Sequence, residues 1–208
     1  MIIIEKDGFK FIGALFAAGV VFLFLFLPLA IFFFVLALAV ALFFRETKRG
    51  MTFADQQIVS PASGKVVDIR EVFEPEFLKE KTRRVSIFMS LLDEHINYAP
   101  VKGEVVFLKH RNGGFKRAYL EEASDCNEAQ QIGYRSDQYE ILMKQIAGVV
   151  ARRIVCRCRV GDTLRAGEKM GLIRFGSRVE LFLPLGARLR ISPGQKVKGG
   201  MTIIGDIS

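Results

Sequence analysis

The sequence predicts a mainly β fold, with short strands arranged as a sandwich or partly closed barrel behind a hydrophobic helical hairpin. Three observations lead to this prediction. Residues 11–44 contain no charged side chain. Beyond residue 50, short apolar segments alternate with turns rich in Gly and Pro, and helical periodicity is weak. Two stretches near the C-terminus repeat one pattern of turn, apolar residue, Gly turn and strand.

The N-terminal apolar segment spans 34 residues, from Phe11 to Phe44. One membrane-spanning helix needs only about 20 residues, and Pro28 lies near the middle, where it breaks or kinks a helix. We expect two short helices, about 11–27 and 29–44, that form a hairpin; a kinked re-entrant segment is the alternative. A cleaved signal peptide fits poorly because the run is too long and no small-residue cleavage site follows it. Residues 1–45 are therefore expected to be a hydrophobic membrane anchor, and residues 46–208 a β-rich domain.

The net charge of +8 lies in the part of the chain that follows this segment. Such a basic domain predicts an anionic partner, either a nucleic acid or a phospholipid surface. The chain has no Trp and no stacked-aromatic RNA motif, which argues against nucleic acid. Basic residues flank the segment on both sides: Lys6 and Lys10 before it, and Arg45, Lys48 and Arg49 after it. The positive-inside rule then places both flanks on the cytoplasmic side of the cell (inner) membrane.

The cysteine content favours a reducing compartment, because three cysteines cannot form a complete disulfide framework. Cys156 and Cys158 are two residues apart, so they share one face of a strand. Without a nearby His or a second pair they make a poor zinc site. We interpret them as structural residues and expect no metal site.

The predicted strands begin after a polar linker at about 46–56. Residues 58–69 read as strand, Pro-to-Gly turn and strand, and residues 97–108 repeat the core Pro-x-x-Gly-x-Val-Val. Further strands are expected at 85–90, 141–146 and 154–160, each from its alternating or continuous apolar pattern.

The end of the chain contains an internal repeat, since residues 160–173 resemble residues 191–204. This pattern is similar to the barrel-sandwich folds of biotinyl and lipoyl carriers. Most of the glycines are interpreted as turn residues with positive φ. Gly176 is the exception, because Gly176-Ser177 interrupts two apolar runs that otherwise read as strands.

Only two histidines are available for acid–base chemistry. His95 lies in a predicted loop between a strand and a Pro-Val-x-Gly turn, where catalytic groups are often found. His110 precedes Asn112-Gly113-Gly114 and is interpreted as part of a solvated turn. Ser177 with His95 would make a nucleophile–base pair, although a hydrolase would also need an orienting acid and an oxyanion hole. The sequence contains no Gly-rich phosphate loop, His-Glu-x-x-His helix or Gly-x-Ser-x-Gly elbow.

Several segments taken together carry a resemblance that each lacks alone. They are Val59-Ser60-Pro61-Ala62-Ser63-Gly64-Lys65-Val66, Ser86-Ile87-Phe88-Met89-Ser90, His95-Ile96-Asn97-Tyr98-Ala99-Pro100-Val101, Gln145-Ile146-Ala147-Gly148, Ala151-Arg152-Arg153-Ile154, Val160-Gly161-Asp162 and Gly171-Leu172-Ile173-Arg174-Phe175-Gly176-Ser177-Arg178-Val179-Glu180. In this order they resemble the phosphatidylserine decarboxylase family, in its short, membrane-anchored form. The match covers essentially all of residues 50–190.

The resemblance implies a zymogen that cuts itself between Gly176 and Ser177. The products would be a large chain, 1–176, and a small chain, 177–208, which form a heterodimer; a higher oligomer stays open. Ser177 would become an N-terminal pyruvoyl group that forms a Schiff base with the substrate amine and serves as the electron sink when CO₂ leaves. The implied function is decarboxylation of phosphatidylserine, held in an anionic membrane, to phosphatidylethanolamine in phospholipid biosynthesis.

The sequence departs from the family pattern at two positions. Many relatives have Asp where this chain has Ser63, and long bacterial forms have a second His where this chain has Tyr98. His95 is then the remaining imidazole for acid–base work, and Asp93 is a candidate orienting acid. Candidates for binding the substrate phosphate are Arg174, Arg178 and the pair Arg152-Arg153.

Two other readings compete with the lyase. One is a membrane-tethered barrel-sandwich carrier or adaptor. A carrier needs an acceptor lysine at a hairpin tip, and Lys169 in Glu168-Lys169-Met170 matches that pattern only weakly. The other is a family member that no longer matures, and the residues Ser63 and Tyr98 suggest this possibility. Neither the carrier nor the adaptor explains the Gly176-Ser177 pair or His95.

Overall fold

The computed structural model describes residues 2–47, 50–118, 120–136, 138–149, 154–174 and 176–207. The chain divides into two compact units, 1–49 and 50–208. The first contains two helices and one small sheet. The second contains the other strands and one short helix, α3 (Ala123–Cys126).

The N-terminal unit consists of α1 (Lys6–Leu23) and α2 (Leu27–Phe43), with a small antiparallel sheet of β1 (Ile2–Ile4) and β2 (Arg45–Thr47). The predicted bounds were 11–27 and 29–44, so both helices begin earlier than expected. Pro28 lies in the first turn of α2, where its missing N–H has no intrahelical partner to lose. The break between the helices therefore precedes the proline.

The two helices of this unit pack through aromatic side chains. The ring centroids of Phe16 and Phe34 are 5.4 Å apart, and those of Phe22 and Phe33 are also 5.4 Å apart. A Cβ on Gly19 would lie 2.8 Å from the Phe34 ring, so the missing side chain permits this close approach. In the part of the chain that the structure describes, no helix is both long and apolar enough to cross a membrane.

The C-terminal unit is mainly β, as predicted. Its strands are β3 (Gln57–Val59), β4 (Gly64–Glu74), β5 (Glu80–Met89), β6 (Ile96–Tyr98), β7 (Gly103–Arg111), β8 (Ala129–Arg135), β9 (Glu140–Ile146), β10 (Ile154–Cys156), β11 (Thr163–Leu164), β12 (Lys169–Ile173), β13 (Ser177–Pro184), β14 (Arg188–Leu189), β15 (Lys196–Val197) and β16 (Ile203–Asp206).

Eight of these strands form one antiparallel sheet that curls into a half-barrel, in the order β11-β7-β8-β9-β13-β5-β4-β15. Two three-stranded sheets, β10-β12-β6 and β14-β16-β3, complete the unit. Strand β13 lies near the middle of the large sheet, paired with β9 on one side and β5 on the other. Its first residue is Ser177, which pairs with Met89 of β5, and the pairing with β9 begins at the next residue, Arg178.

The residues of β13 explain why it is a central strand. Side chains alternate between the two faces of a strand, and Val179, Leu181 and Leu183 all join the main hydrophobic core. Between them, Arg178 and Glu180 are also buried, at 2% and 0% exposure. The opposite face of the sheet is therefore covered as well, and its buried charges have to be paired.

The segment 97–108 forms a strand, a turn at Pro100 and a second strand, as its repeat of the 58–69 pattern predicts, and these strands, β6 and β7, belong to different sheets. One predicted strand differs from the observed one. The segment 154–160 ends as a strand at Cys156. It ends early because the Asp162 carboxylate accepts a hydrogen bond from the Arg159 N–H at 2.7 Å and closes a turn.

The internal repeat is visible in the structure. Each copy has a two-residue strand (β11 or β15) followed by a longer one (β12 or β16). Glycines with positive φ occupy matching places 33 residues apart: Gly161 and Gly194 at 94° and 92°, and Gly167 and Gly200 at 78° and 64°. These values place the glycines in the left-handed region, which side chains disfavour.

Candidate functional site

The Gly176-Ser177 peptide lies where the chain passes from β12 into β13. Gly176 has φ +57°, a left-handed conformation that favours glycine. Ser177 is completely buried and lies opposite Met89 in the pairing of β13 with β5. Phe175 lies outside the described residues. The sequence prediction that this Gly-Ser pair is a special junction thus corresponds to a conformationally distinct, buried peptide.

His95 meets this peptide directly. Its imidazole is 2% exposed, and Nε2 accepts a hydrogen bond from the Gly176 N–H at 3.2 Å. Nδ1 lies 2.9 Å from the Asp93 carbonyl oxygen, which can only accept. This pattern assigns the ring proton to Nδ1, because Nε2 must supply a lone pair to Gly176. The structure therefore brings His95 and Gly176 together and holds the imidazole in one neutral tautomer.

The Ser177 hydroxyl is directed elsewhere. Its Oγ donates to Met89 Sδ at 3.3 Å, while the imidazole is directed to the Gly176 N–H. The predicted nucleophile and base are thus neighbours across one residue. For His95 to take the Ser177 proton, Nε2 must exchange its Gly176 partner for the hydroxyl.

A buried polar network extends behind Ser177. The Asn97 amide nitrogen lies 3.8 Å from Met89 Sδ, and Gln145 Nε2 donates to Asn97 Oδ1 at 2.7 Å. Both amides are 0% exposed. Sequence reasoning did not identify these residues, although a Gln inside the apolar run 141–146 was a visible signal, because a buried amide needs partners.

Gly148 limits the space around the scissile carbonyl. A Cβ built on Gly148 would lie 1.9 Å from the Gly176 carbonyl oxygen. The oxygen therefore occupies the place that a side chain would need. In the sequence, Gly148 stands out only as part of a family motif. The pattern of apolar and turn residues does not reveal that Gly148 contacts Gly176, 28 residues later.

Asp93 acts through its backbone and not through its carboxylate. The carboxylate accepts hydrogen bonds from the Ser90 N–H at 2.8 Å and from the Ser90 hydroxyl at 2.6 Å, which closes the turn before His95. It is the Asp93 carbonyl oxygen that faces the imidazole. The prediction that Asp93 orients His95 is therefore met by a different atom from the expected one.

The two positions that depart from the family pattern have defined partners. Ser63 Oγ accepts a hydrogen bond from the Gly199 N–H at 3.0 Å. The Tyr98 hydroxyl donates to Glu94 Oε1 at 2.5 Å, and both side chains are buried. Both residues therefore contribute to the packing around His95 and the 61–64 turn, since the Tyr98 N–H also donates to the Pro61 carbonyl oxygen.

The arginine candidates for phosphate binding separate into different environments. Arg178 is buried, and its guanidinium contacts Glu180 Oε1 at 3.0 Å, Ser86 Oγ at 2.9 Å and the Leu120 carbonyl oxygen at 3.3 Å. Burial lowers the pKa of Arg178, and the Glu180 carboxylate opposes this shift. Arg178 is thus committed to an internal network. Arg174 is half-buried, and Arg152-Arg153 lie outside the described residues.

The remaining sequence candidates have structural environments. His110 belongs to β7, not to a turn, with Nε2 3.9 Å from a Glu128 carboxylate oxygen. Lys169 begins β12 and is not at a hairpin tip, which a carrier lysine would need. Cys156 and Cys158 have sulfur atoms 3.2 Å apart, and Cys126 is exposed. Among the described residues, no group of three or more His, Cys, Asp or Glu side chains is placed to hold a metal ion.

Comparisons with known proteins agree on one family. A sequence model of the family described as phosphatidylserine decarboxylase matches residues 36–205. Phosphatidylserine decarboxylase proenzymes of two bacteria align over nearly the whole chain. That of Symbiobacterium thermophilum is 41% identical over 204 residues, which cover 98% of this chain and 95% of the relative. That of Carboxydothermus hydrogenoformans is 38% identical over 207 residues, covering 99% and 97%. A third, from Porphyromonas gingivalis, is 45% identical over 165 residues, covering 78% and 75%.

Proposed function

This chain belongs to the phosphatidylserine decarboxylase family, and we propose that it is a proenzyme whose mature form decarboxylates phosphatidylserine to phosphatidylethanolamine in phospholipid synthesis. The observation that carries the proposal is the Gly176-Ser177 peptide, in which Ser177 is buried and Gly176 is held between the imidazole of His95 and the backbone of Gly148. A carrier protein would not need a histidine and a glycine packed against the Gly176-Ser177 peptide.

The residues around the peptide fit a pyruvoyl group made from Ser177. Its Cα and Cβ are already buried at the start of a central strand, so the group would be fixed by the pairing of residue 177 with Met89 of β5. Gly176 has no side chain of its own beside the carbonyl carbon, and its φ of +57° is accessible to glycine at little cost. When present, the group supplies a ketone that condenses with the substrate amine and accepts the electron pair left by CO₂.

Self-cleavage forms this group from the chain itself. The Ser177 oxygen adds to the Gly176 carbonyl carbon, its proton passes to a base, and the C–N bond breaks to give an ester and a free amine. Loss of the Ser177 Cα proton then breaks the Cβ–O bond and releases Gly176 as a carboxylate. Water replaces the nitrogen of the remaining enamine, and ammonia leaves. The products are the chains 1–176 and 177–208.

His95 is the base in this scheme. The Asp93 carbonyl oxygen holds the proton on Nδ1, which keeps the lone pair of Nε2 on the side of the peptide. A neutral imidazole works as a base near neutral pH. Its hydrogen bond to Gly176 fixes the acyl side of the scissile bond until the Ser177 hydroxyl replaces it.

The membrane assignment is also part of the proposal. Residues 1–45 would anchor the enzyme to the cell (inner) membrane, and the basic residues on both flanks would keep the catalytic domain on the cytoplasmic face. A net charge of +6 in residues 50–208, from 25 Lys and Arg against 19 Asp and Glu, favours a membrane rich in anionic phosphatidylserine. We further propose that the β-rich unit is of the barrel-sandwich type, for which its internal repeat is the support.

The test compares the wild-type chain with Ser177→Ala, with Ser192→Ala as a control at an exposed serine. Intact mass measurement should show two chains for the wild type and for the control, with the shorter chain beginning at residue 177 and blocked to Edman sequencing. Ser177→Ala should stay a single chain of 23.4 kDa. Labelled CO₂ should be released from phosphatidylserine by the two proteins that are cut and not by Ser177→Ala. A wild-type chain that stays uncut and inactive in phosphatidylserine-containing membranes contradicts the proposal and points to a non-maturing relative.

A further inference from the structure

Four exposed apolar side chains lie on segments that contact the Gly176-Ser177 peptide or its neighbour Arg178. Leu91 is 53% exposed, Leu92 84%, Leu120 42% and Val149 50%. We call these four residues the apolar rim. Single exposed apolar residues are normal on a protein surface, so the significance of this set depends on where its members lie.

The first two rim residues are presented by a rigid turn. The Asp93 carboxylate accepts hydrogen bonds from both the N–H and the hydroxyl of Ser90, and the Asp93 N–H donates to the Ser90 carbonyl oxygen at 3.0 Å. This turn holds Leu91 and Leu92 between its ends and leads directly into His95. The nearest atom to a Cβ built on Gly176 is Leu91 Cδ2, at 4.0 Å.

The other two rim residues lie in two loops, one that meets the Gly176 carbonyl oxygen and one that meets the Arg178 guanidinium. Val149 follows Gly148, whose Cα side meets the Gly176 carbonyl oxygen. The Leu120 carbonyl oxygen accepts a hydrogen bond from Arg178, the residue next to Ser177. Two loops that are distant in sequence thus meet at the Gly176-Ser177 bond, and a third contacts the side chain of the next residue; each one exposes a large apolar side chain.

We propose that the apolar rim docks onto a bilayer of anionic phospholipid and brings the Ser177 centre to the level of the lipid headgroups. This inference rests on the proposed function. The amine and carboxyl group of phosphatidylserine belong to its headgroup, while the acyl chains stay in the hydrocarbon. A centre built around residue 177 can therefore meet them only if the surface around it approaches the interface.

The chemistry of the surroundings favours a bilayer over a protein partner. Interfacial apolar side chains enter about 5–10 Å into the boundary between headgroups and acyl chains, and cationic residues strengthen this binding on anionic lipid. Residues 50–208 carry a net charge of +6. Apolar side chains at loop tips on a basic domain match a surface that is anionic outside and apolar beneath.

The absence of Trp from the chain provides a clean test. Leu92→Trp places the only indole at the rim. Phe73→Trp places it at a control position that is 62% exposed and also apolar. Phe73 pairs with Lys81, eight residues along β5 from the partner of Ser177, which corresponds to about 26 Å. Both changes are made in the uncut full-length Ser177→Ala chain.

The two proteins are reconstituted into vesicles of phosphatidylglycerol and phosphatidylcholine with brominated acyl chains. We expect the bromines to quench the indole at position 92 at least twofold more than the one at position 73. Equal quenching at the two positions overturns the proposal. A blue shift of the residue 92 indole that needs no lipid and grows with protein concentration also overturns it, since it would show contact with a second copy.

An activity measurement complements the fluorescence. Leu92→Asp should cut itself at the wild-type rate and decarboxylate dispersed short-chain phosphatidylserine normally, while its rate on bilayer phosphatidylserine falls about tenfold. Phe73→Asp should match the wild type on both substrates. Equal rates for Leu92→Asp on both substrates contradict the rim. If instead the wild type does not mature at all, the proposed function fails, while the quenching comparison in the uncut chain still decides whether the rim meets the bilayer.

Discussion

Replacing Gly148 with Ala tests how closely the chain is fitted around the scissile carbonyl. The added Cβ would lie 1.9 Å from the Gly176 oxygen, 3.0 Å from its carbonyl carbon and 3.2 Å from Ala118 Cβ. A carbon normally comes no closer to a carbonyl oxygen than about 3.3 Å. The peptide or the loop must therefore move by about 1.4 Å, because the Gly176 carbonyl is backbone and cannot rotate away.

We expect this displacement to slow self-cleavage by about 100-fold, because a misplacement of about 1 Å at a reacting bond costs that much. The fold should survive, since Gly148 has no positive φ and Ala needs no special backbone there. The assay follows conversion of the full-length chain into two chains on a denaturing gel after synthesis in vitro. Circular dichroism checks that the uncut protein is folded.

Gly186→Ala is the matched control, because a Cβ at Gly186 meets no atom within 4 Å and this glycine also lacks a positive φ. It should mature like the wild type. A folded Gly148→Ala chain that cuts itself at the wild-type rate would refute the reasoning, since the Gly176 carbonyl would then not be held against Gly148 when it reacts.

Three further predictions concern neighbouring side chains. His95→Gln keeps an acceptor for the Gly176 N–H but removes the base, so cleavage on gels should slow by about 10²–10⁴-fold; near-normal cleavage would make His95 structural. Tyr98→Phe removes the donor to buried Glu94 and should lower the free energy of unfolding by about 1–3 kcal/mol in urea; an unchanged midpoint contradicts this. A hydrogen bond from Cys158 lowers the pKa of Cys156, so Cys158→Ala should shift the pH dependence of Cys156 alkylation upward; a downward or absent shift would refute that cause.

The mainly β fold could be read from the sequence because each signal was local. Glycines at 161, 167, 194 and 200 repeat with one spacing, and all four adopt positive φ. Alternation of apolar residues likewise located the central strand that follows Gly176. The length of a strand was less readable: the run 154–160 ends at Cys156, because a carboxylate six residues later closes a turn.

The site was only partly readable for a physical reason. His95, Gly176 and Ser177 could be singled out by residue type and by family resemblance. The contacts that define their geometry join residues about 30 to 90 positions apart, such as Met89 with Ser177 and Gly148 with Gly176. No periodic pattern encodes such pairs, because they arise when strands from separate parts of the chain are brought side by side. Asp93 is a local exception: its carboxylate is taken up by Ser90, three residues earlier, so its carbonyl oxygen faces His95 instead.

The two departures from the family pattern place a specific demand on His95. Where relatives carry Asp, Ser63 accepts a hydrogen bond from the Gly199 N–H, and a neutral hydroxyl cannot stabilise an imidazolium as a carboxylate does. The Tyr98 hydroxyl donates its hydrogen bond to Glu94. A neutral phenol is also a much weaker base than the imidazole of a second His would be. The Asp93 carbonyl oxygen faces Nδ1 of His95 at 2.9 Å. A carbonyl dipole stabilises a cation less than a full negative charge does. This chain should therefore mature more slowly than a relative with both the Asp and the second His, and a Ser63→Asp chain should be no slower than the wild type if the turn at 61–64 keeps its contact with Gly199.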